Sequence, residues 1–304
     1  MQGTSGMIGV YGYGKWGSAI DFILSKNHKT LISSRSVKQV PHYVSLDKLL
    51  ELEYIVLAFS AQHIGEFLNS ITIRSNQKFL LASKGIDFKE KKFLDEVCSA
   101  YIAKENLAFL TGPSFAQEVL QELPTALCVS SCNNELASTF ASFFDVEFIK
   151  TYTSSDVKGA EIAGAYKNVI AIASGICGTL GLGRNAQASL TSRGLVEISR
   201  FGMHFGALAE TFLDISGAGD LFLTAGSNMS RNYTLGSLLA SGHSLSSALG
   251  QINQVVEGVE TTYAISSIAK ELDIYAPIAN EVEVILRGGD IAKSIKHLLG
   301  NTNA

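Results

Sequence analysis

A lysine stands at the head of an apolar segment in the second half of the chain. The segment Ala165–Gly178, AYKNVIAIASGICG, contains one charged residue, Lys167, and the next charged residue is Arg184. Lysine is almost never fully buried unless it is paired, so one interpretation keeps this amine in water along the surface. The other is a lysine that transfers a proton, the chemistry that a desolvated amine can perform. The segment by itself leaves both interpretations open.

Further polar residues lie at predicted strand ends and helix starts. Lys84 ends a predicted strand in LASKGID, and such ends face the ligand crevice of an open α/β sheet. LTGPSFAQE follows the next strand and forms a turn suited to backbone contact with an anion. The helical half adds further polar side chains: Asp220, Ser230, Arg231, Asn232 and Glu257. Taken singly, these side chains are equally explained by helix capping or by solvent exposure.

A glycine-rich turn near the N-terminus predicts a dinucleotide site. VYGYGKWG places Gly12, Gly14 and Gly17 in a GxGxxG pattern that follows a predicted strand and opens a helix. Gly12 permits the tight turn, Gly14 the approach of a pyrophosphate, and Gly17 the close packing of helix on strand. The alternative is a glycine-rich turn that holds no ligand.

The end of the second predicted strand bears on the choice of dinucleotide. A strict NAD site carries Asp or Glu there, which binds the ribose 2′-hydroxyl. Here the sequence reads ISSRS, with Arg35 and no carboxylate. This fits a 2′-phosphate and predicts use of both cofactors with some preference for NADPH. The alternative is that Arg35 is a solvated surface charge.

These residues need a scaffold that brings strand ends and helix starts together. Up to about Lys150, short apolar runs alternate with helical stretches. This predicts an α/β fold, with an N-terminal Rossmann-like domain and a mostly parallel sheet over residues 7–150. Residues 151–304 have helical periodicity and little strand signal, which predicts an all-helical domain with the active site in the cleft between the two. Only about twenty residues join the second and third strands, so a long helix does not fit there.

Composition narrows the class of protein. The chain has 304 residues, 46% hydrophobic and 17% charged, which describes a globular protein with ample core. A net charge of -4 gives no reason to expect nucleic acid or an anionic membrane as partner. The uncharged run Asn168–Gly183 is shorter than the roughly 20 residues of a membrane span.

The cysteines and the N-terminus indicate a cytoplasmic protein. No CxxC pair and no zinc spacing occur among the four cysteines, so we expect reduced thiols and no metal: Cys98, Cys128, Cys132 and Cys177. No basic region followed by an apolar one begins the chain, which argues against a signal peptide. We interpret MQGTSG, the segment before Met7, as the remnant of an appended tag.

Together the motifs resemble one family, the bacterial NAD(P)-dependent glycerol-3-phosphate dehydrogenases. The matching pieces occur in the family's order from about residue 8 to 265: GYGKWG, SKGID, GPSFA, AYKNVIAIASG, GLGRNAQASLTSRGLVEISR, GAGDLFLT, SRN and VVEGVETT. GPSFA and the Lys-Asn pair at 167–168 are more specific than the glycine fingerprint. The resemblance implies reduction of dihydroxyacetone phosphate to sn-glycerol 3-phosphate by NAD(P)H, supplying glycerophospholipid synthesis.

The resemblance also implies roles for individual residues. Lys167 falls at the position of the catalytic proton acceptor, with Lys84 and Asp220 as further catalytic residues. The implied dinucleotide contacts are Gly12, Gly14, Lys15, Trp16, Gly17, Arg35, Lys84, Ala116, Arg231, Val255 and Glu257. The implied substrate contacts are Lys84, Gly112, Ser114, Lys167, Asp220, Ser230, Arg231 and Asn232.

The sequence departs from the family at two places. The crossover between the second and third strands is shorter than is usual, which bears on the adenosine side of the cofactor site. The usual Val-Pro after the third strand is replaced by AFSAQ, and no residue of that loop is assigned a role.

Two other functions are alternatives, and both keep a small molecule as the partner. One is a related two-domain NADPH reductase of another small hydroxy or keto acid, although the Ser-Arg-Asn triplet at 230–232 favours a phosphate. The other is a non-catalytic dinucleotide sensor, which would be expected to lack Lys84, Lys167 and Asp220. A homodimer is compatible with the sequence.

Overall fold

The computed structural model describes residues 6–299. The segment interpreted as a tag remnant lies outside this range, except for Gly6. The described chain divides into two compact units, one of residues 6–84 and 94–157 and the other of residues 85–93 and 158–299. Within the described range, no helix has the combination of length and apolarity that crossing a membrane requires.

The first unit is built on a seven-stranded sheet in the order β2-β1-β3-β4-β7-β8-β9. Its strands are β1 Ile8–Tyr11, β2 Thr30–Ser33, β3 Tyr54–Leu57, β4 Lys78–Leu81, β7 Leu107–Thr111, β8 Thr125–Ser130 and β9 Ile149–Ser154. All neighbouring pairs are parallel except β7 and β8, which are antiparallel. Because the chain crosses from one side of β1 to the other after β2, the strand order reverses between β1 and β3. Ligands of open α/β sheets bind outside the carboxyl ends of strands at such a reversal.

Helices cover both faces of this sheet. Successive residues of the strands point to opposite faces, so Val56 and Leu80 enter one core cluster and Leu57 and Leu81 the other. This two-sided burial explains why the strands other than β9 read as continuous apolar runs, whereas β9 lies at the edge and is partly exposed. The helices of the unit are α1 Lys15–Leu24, α2 Leu46–Leu49, α3 Ile64–Asn69, α4 Leu94–Ser99, α5 Ala116–Leu120 and α6 Asn134–Phe143.

The second unit is helical and contains one small hairpin. Its helices are α7 Val157–Thr179, which begins at the last residue of the first unit, α8 Gly183–His204, α9 Ala209–Leu213, α10 Asp220–Ala225, α11 Arg231–Ala240, α12 Leu245–Ile252, α13 Glu257–Glu271, α14 Pro277–Leu286 and α15 Ile291–Leu299. The hairpin pairs β5, Ile86–Asp87, with β6, Lys92–Phe93, in antiparallel register. Ile86 and Phe93 are buried in the core of the helical unit. The predicted fold class is confirmed, and the hairpin is an addition that the sequence analysis missed.

Helix α7 runs through the middle of the helical unit. Every residue from Gly159 to Cys177 is buried, so the helix has no solvent-facing side over this stretch. Helix α11 lies directly against it, because a Cβ on Gly236 would stand 2.0 Å from the carbonyl oxygen of Ile172. A charged side chain on α7 therefore needs a partner from a neighbouring helix.

Helices α13 and α14 are joined by a polar cluster around Glu283. Its carboxylate accepts hydrogen bonds from Lys270 Nζ at 2.5 Å, Ser266 Oγ at 2.6 Å and Arg287 Nε at 3.0 Å. Burial alone would raise the pKa of Glu283, but these hydrogen bonds outweigh it and hold the pKa at about 2. The carboxylate is thus ionised throughout the physiological range and fastens the two helices together.

Candidate active site

The glycine-rich turn has the geometry that its sequence predicts. Gly12 has a φ of +101°, and a Cβ there would stand 2.5 Å from the carbonyl oxygen of Ala58. A Cβ on Gly17 would meet the carbonyl oxygen of Gly12 at 1.9 Å. Gly14, the residue before helix α1, has no atom within 4 Å of the position of a Cβ. The turn is therefore closely packed at its ends and open at Gly14, which is the shape that admits a pyrophosphate to the helix N-terminus.

The residues that follow Gly14 lie at the start of α1. Lys15 is exposed, and Trp16 is half-buried against the core on one face of the sheet. Beside this turn runs the loop after β3, whose Phe59 packs edge-on against Tyr11 with ring centroids 5.4 Å apart. This loop contains the AFSAQ segment, to which the sequence analysis assigned no role.

The end of β2 places Arg35 on the surface. Ser33 is buried, Ser34 is half-buried and Arg35 is exposed. Tyr11 lies close by: burial and the neighbouring Tyr43 raise the pKa of its phenol, and the Arg35 charge opposes that rise. A cationic side chain thus stands at the carboxyl end of β2, where a dinucleotide-binding fold places its adenine ribose.

The structure brings together three of the predicted residues of the first unit. Lys84 Nζ donates a hydrogen bond to the carbonyl oxygen of Gly112 at 3.3 Å. Ser114 Oγ donates to the same oxygen at 3.1 Å. Gly112 has a φ of +107°, and the turn leads into α5, which begins at Ala116. The Lys84 ammonium and the Ser114 hydroxyl therefore lie together at the Gly112 turn, at the end of the sheet.

Lys167 is buried and paired in the helical unit. Its side chain is 8% exposed and that of Asp220 is 1% exposed, and Lys167 Nζ donates to Asp220 Oδ1. Lys167 Nζ also donates to Thr224 Oγ1 at 2.9 Å, while Thr224 Oγ1 lies 3.4 Å from Asp220 Oδ1. The pairing answers the question that the sequence left open, because this lysine is not a surface residue. The neighbouring carboxylate stabilises the ammonium form, which can donate a proton.

A π-helical turn precedes the carboxylate. Ile215–Gly219 forms this turn, and α10 begins at Asp220 directly after it. Such turns are rare and occur frequently at functional sites. Because Asp220 and Thr224 are four residues apart, both face Lys167 from one side of α10.

The first turn of α11 carries the Ser-Arg-Asn triplet. Ser230 caps the helix and accepts a hydrogen bond from Tyr233 N at 3.3 Å. Arg231 Nη1 donates to the carbonyl oxygen of Val255 at 2.7 Å. The guanidinium thus reaches the segment that leads into α13, where Glu257 is the first residue.

The amide of Asn232 links three elements. Its Nδ2 donates to Asn168 Oδ1 at 2.8 Å, and its Oδ1 accepts from Gly258 N at 3.0 Å. Asn168 follows Lys167 on α7, so the triplet is tied both to the lysine helix and to the start of α13. The sequence analysis assigned no role to Asn168 or Thr224; the signals were the adjacency to Lys167 and the four-residue spacing from Asp220.

Fold and site together define a class of protein. A reversing parallel sheet with an open glycine turn after β1 is typical of Rossmann-type dinucleotide-binding proteins. The helical unit adds a buried lysine–carboxylate pair and a helix start that presents Ser, Arg and Asn.

Comparison with known proteins gives the family. A family model described as NAD-dependent glycerol-3-phosphate dehydrogenase N-terminus matches residues 31–137, and the corresponding C-terminus model matches residues 156–296. The chain therefore belongs to the NAD-dependent glycerol-3-phosphate dehydrogenase family.

Individual relatives are similar over nearly their whole length. A protein of Sulfurimonas denitrificans named glycerol-3-phosphate dehydrogenase [NAD(P)+] is 52% identical over 97% of this chain and 99% of its own. One of the same name from Nitratiruptor sp. is 55% identical over 96% of this chain and 97% of its own. Among solved structures, glycerol-3-phosphate dehydrogenase from Coxiella burnetii superposes with a TM-score of 0.91 at 28% identity, covering 97% of this chain and 99% of that one.

Proposed function

We propose that this protein is an NAD(P)H-dependent glycerol-3-phosphate dehydrogenase. It catalyses the reversible reduction of dihydroxyacetone phosphate to sn-glycerol 3-phosphate and runs mainly toward glycerol 3-phosphate. This product supplies glycerophospholipid synthesis in the cytoplasm. The observation that carries this proposal is the buried Lys167–Asp220 pair. A buried ion pair costs desolvation and is weak support for stability, so a catalytic use accounts for it better. Relatives similar over nearly the full chain bear the name of this activity.

The proton in this reaction is assigned to Lys167. When bound, NAD(P)H supplies the hydride that reduces the carbonyl carbon. The carbonyl oxygen gains negative charge at the same time, and the Lys167 ammonium stabilises that charge and donates a proton to the oxygen. Asp220 and Thr224 accept hydrogen bonds from Nζ and so orient it. In the oxidative direction the neutral amine accepts the proton from the alcohol.

We assign the cofactor to residues 7–150. The open position at Gly14 fits a pyrophosphate at the start of α1, because nothing occupies the space that a Cβ would fill. Arg35 is proposed to contact the ribose 2′-phosphate of NADPH, and both NADPH and NADH are expected to be used. The remaining residues proposed to contact the cofactor are Gly12, Lys15, Trp16, Gly17, Lys84, Ala116, Arg231, Val255 and Glu257.

We assign most substrate contacts to residues 151–304. Arg231 is the proposed phosphate ligand, since a guanidinium can hold two phosphate oxygens at once. Lys84 is proposed to contact both the substrate and the cofactor. The other proposed substrate contacts are Gly112, Ser114, Lys167, Asp220, Ser230 and Asn232.

The proposed assembly is a homodimer. Its support is a set of apolar side chains of the helical unit that are at least half exposed: Val196, Met203, Leu208 and Leu213. Such exposure is a common feature of protein interfaces. Light scattering coupled to size-exclusion chromatography measures the assembly.

One screen tests the activity against its alternatives. Oxidation of NADPH is followed at equal concentrations of dihydroxyacetone phosphate, unphosphorylated dihydroxyacetone and ketopantoate. We expect rapid turnover of the phosphate alone. Rapid turnover of ketopantoate would instead indicate a hydroxy-acid reductase, and NADPH binding without turnover of any substrate would indicate a sensor.

A further inference from the structure

A buried carboxylate in α1 anchors the short crossover between β2 and β3. Asp21 is 5% exposed, and its Oδ2 lies 3.0 Å from Nε2 of His42. A carboxylate buried to this degree needs a hydrogen-bond partner, and the imidazole of His42 lies within hydrogen-bonding distance of it. The pair therefore joins the helix that follows the glycine turn to a residue 21 positions further along the chain.

The crossover around His42 runs along β2 like a further strand. Ile32 N donates to the carbonyl oxygen of His42 at 3.0 Å, and Val44 N donates to that of Ile32 at 2.8 Å. Tyr43 OH donates to the carbonyl oxygen of Ser34 at 3.0 Å. These bonds close the base of a loop of residues 35–41, and Arg35 is its first residue.

This loop has little internal structure of its own to position Arg35. Apart from turns and bends it contains no regular element, and Arg35 is exposed. Its geometry therefore depends on the two ends, one fixed by β2 and the other by the His42 segment. A loop that is ordered before binding loses less entropy when a ligand arrives.

Asp21 also lies near the glycine turn. Burial and the Asp21 carboxylate raise the pKa of the Tyr13 phenol, and Tyr13 stands between Gly12 and Gly14. One carboxylate therefore contacts the crossover through His42 and acts electrostatically on Tyr13 of the glycine turn. In a bound dinucleotide the glycine turn would serve the pyrophosphate and the crossover the adenosine ribose.

We propose that the Asp21–His42 pair is a positioning device that fixes the crossover, holds Arg35 at the ribose 2′-phosphate and thereby sets the preference for NADPH over NADH. The proposal rests on the NAD(P)H function and on the role of Arg35 given above. His42 and Asp21 are positioning residues, because they act through Arg35. Loss of the pair should therefore lower the affinity for NADPH, which carries the 2′-phosphate, and leave the affinity for NADH almost unchanged.

The test is a cofactor-binding cycle without substrate. Dissociation constants for NADPH and NADH are measured by calorimetry at low ionic strength, where an exposed charge contact is least screened. The variants are His42→Ala, His42→Gln, Arg35→Ala and the double variant Arg35→Ala/His42→Ala. His243→Ala is the matched control, because His243 is a half-buried histidine of the helical unit whose ring bonds the side chain of Gln251, outside every proposed contact. Thermal unfolding of each variant is recorded alongside.

The expected results separate a positioning role from a structural one. His42→Ala should raise the dissociation constant for NADPH about 3- to 10-fold and that for NADH less than about 2-fold. This is the size of effect that ordering a few side chains has on binding. His42→Gln, which keeps a hydrogen-bond donor for Asp21, should recover most of this loss. In the Arg35→Ala background, His42→Ala should have no further effect on NADPH, since its action runs through Arg35.

Other outcomes overturn the proposal in distinguishable ways. If Arg35→Ala weakens the binding of NADPH but neither His42→Ala nor His42→Gln does, the positioning role is wrong while the proposed function stands. If His42→Ala weakens the binding of both cofactors equally, the pair maintains the general structure of the first unit and the proposal is wrong. If Arg35→Ala itself leaves NADPH unchanged, both the 2′-phosphate assignment and this inference fail.

Discussion

Substitution of the buried Lys167 should affect both turnover and the free energy of unfolding, and a second substitution should restore only the latter. Lys167→Met removes the ammonium but keeps a side chain of similar length on α7. If Lys167 donates the proton, turnover should fall by about 10²–10⁴, the usual contribution of general acid–base catalysis. The dissociation constant for NADPH should change little, because the assigned role is in the chemical step.

The same substitution should also destabilise the helical unit. Asp220 would keep a carboxylate that is 1% exposed, with Thr224 Oγ1 remaining at 3.4 Å and the ammonium gone. Removal of one partner from a buried ion pair typically costs about 3–5 kcal/mol. A loss of turnover in the single variant could therefore reflect unfolding as much as chemistry.

A double variant separates the two effects. In Lys167→Met/Asp220→Leu an apolar pair replaces the ionic one, and such replacements are often neutral or stabilising. The free energy of unfolding, measured by urea titration followed by circular dichroism, should return to within about 1 kcal/mol of wild type. Turnover should stay at the level of the single variant or below. If either variant retains more than about a tenth of wild-type turnover, the lysine is structural and the proton donor lies elsewhere.

The other predictions concern phosphate, cofactor and pH. Arg231→Lys should markedly weaken use of dihydroxyacetone phosphate and leave the poor activity on unphosphorylated dihydroxyacetone almost unchanged, since an ammonium cannot replace a two-point grip; equal loss on both substrates in steady-state assays would contradict a phosphate role. Arg35→Ala should raise the apparent constant for NADPH, most strongly at low ionic strength, and barely alter that for NADH; parallel changes would remove Arg35 from the site. Glu283→Gln should destabilise the protein by roughly 1–3 kcal/mol at pH 7, a range set by the depressed pKa and by the solvent exposure of its cationic partners. Because that pKa is held at about 2, below the unfolded value near 4.3, this contribution is present above pH 5 and lost as pH falls toward 2, so the two proteins should converge in acid unfolding curves.

Much of the fold could be predicted from short apolar runs. Six of the seven strands of the large sheet coincide with apolar runs such as TLIS and TALCVS, because burial on both faces leaves few polar positions. The seventh, β9, lies at the sheet edge, carries three exposed residues and extends past Lys150, where the apolar runs were expected to end. The antiparallel direction of β8 against β7 was not readable, since pairing direction depends on where the connection runs. The hairpin of β5 and β6 was missed because strands of two residues are too short to show a pattern.

The site was predictable where a local motif carries it. The close approaches at Gly12 and Gly17 follow from the spacing of the glycine turn, and Lys84 beside Gly112 follows from neighbouring strand ends. The Asp21–His42 pair was not predictable, because α1 and the crossover carry no motif that relates them. Asn168 was recognised as part of a motif, but its contact with Asn232 spans 64 residues and depends on how α7 and α11 pack.

The hydrogen bonds of the Ser-Arg-Asn triplet leave Arg231 and Asn232 with different numbers of donors for a ligand. Asn232 already uses its amide oxygen for Gly258 N and one N–H for Asn168, so a single N–H remains for a ligand. Arg231 has five N–H donors, and one of them reaches the carbonyl oxygen of Val255. The guanidinium therefore retains enough donors to bind two phosphate oxygens without releasing Val255, whereas the amide cannot bind more than one. For this reason the phosphate is assigned chiefly to Arg231, and Asn232 serves mainly to fix the start of α13 against the helix that carries Lys167.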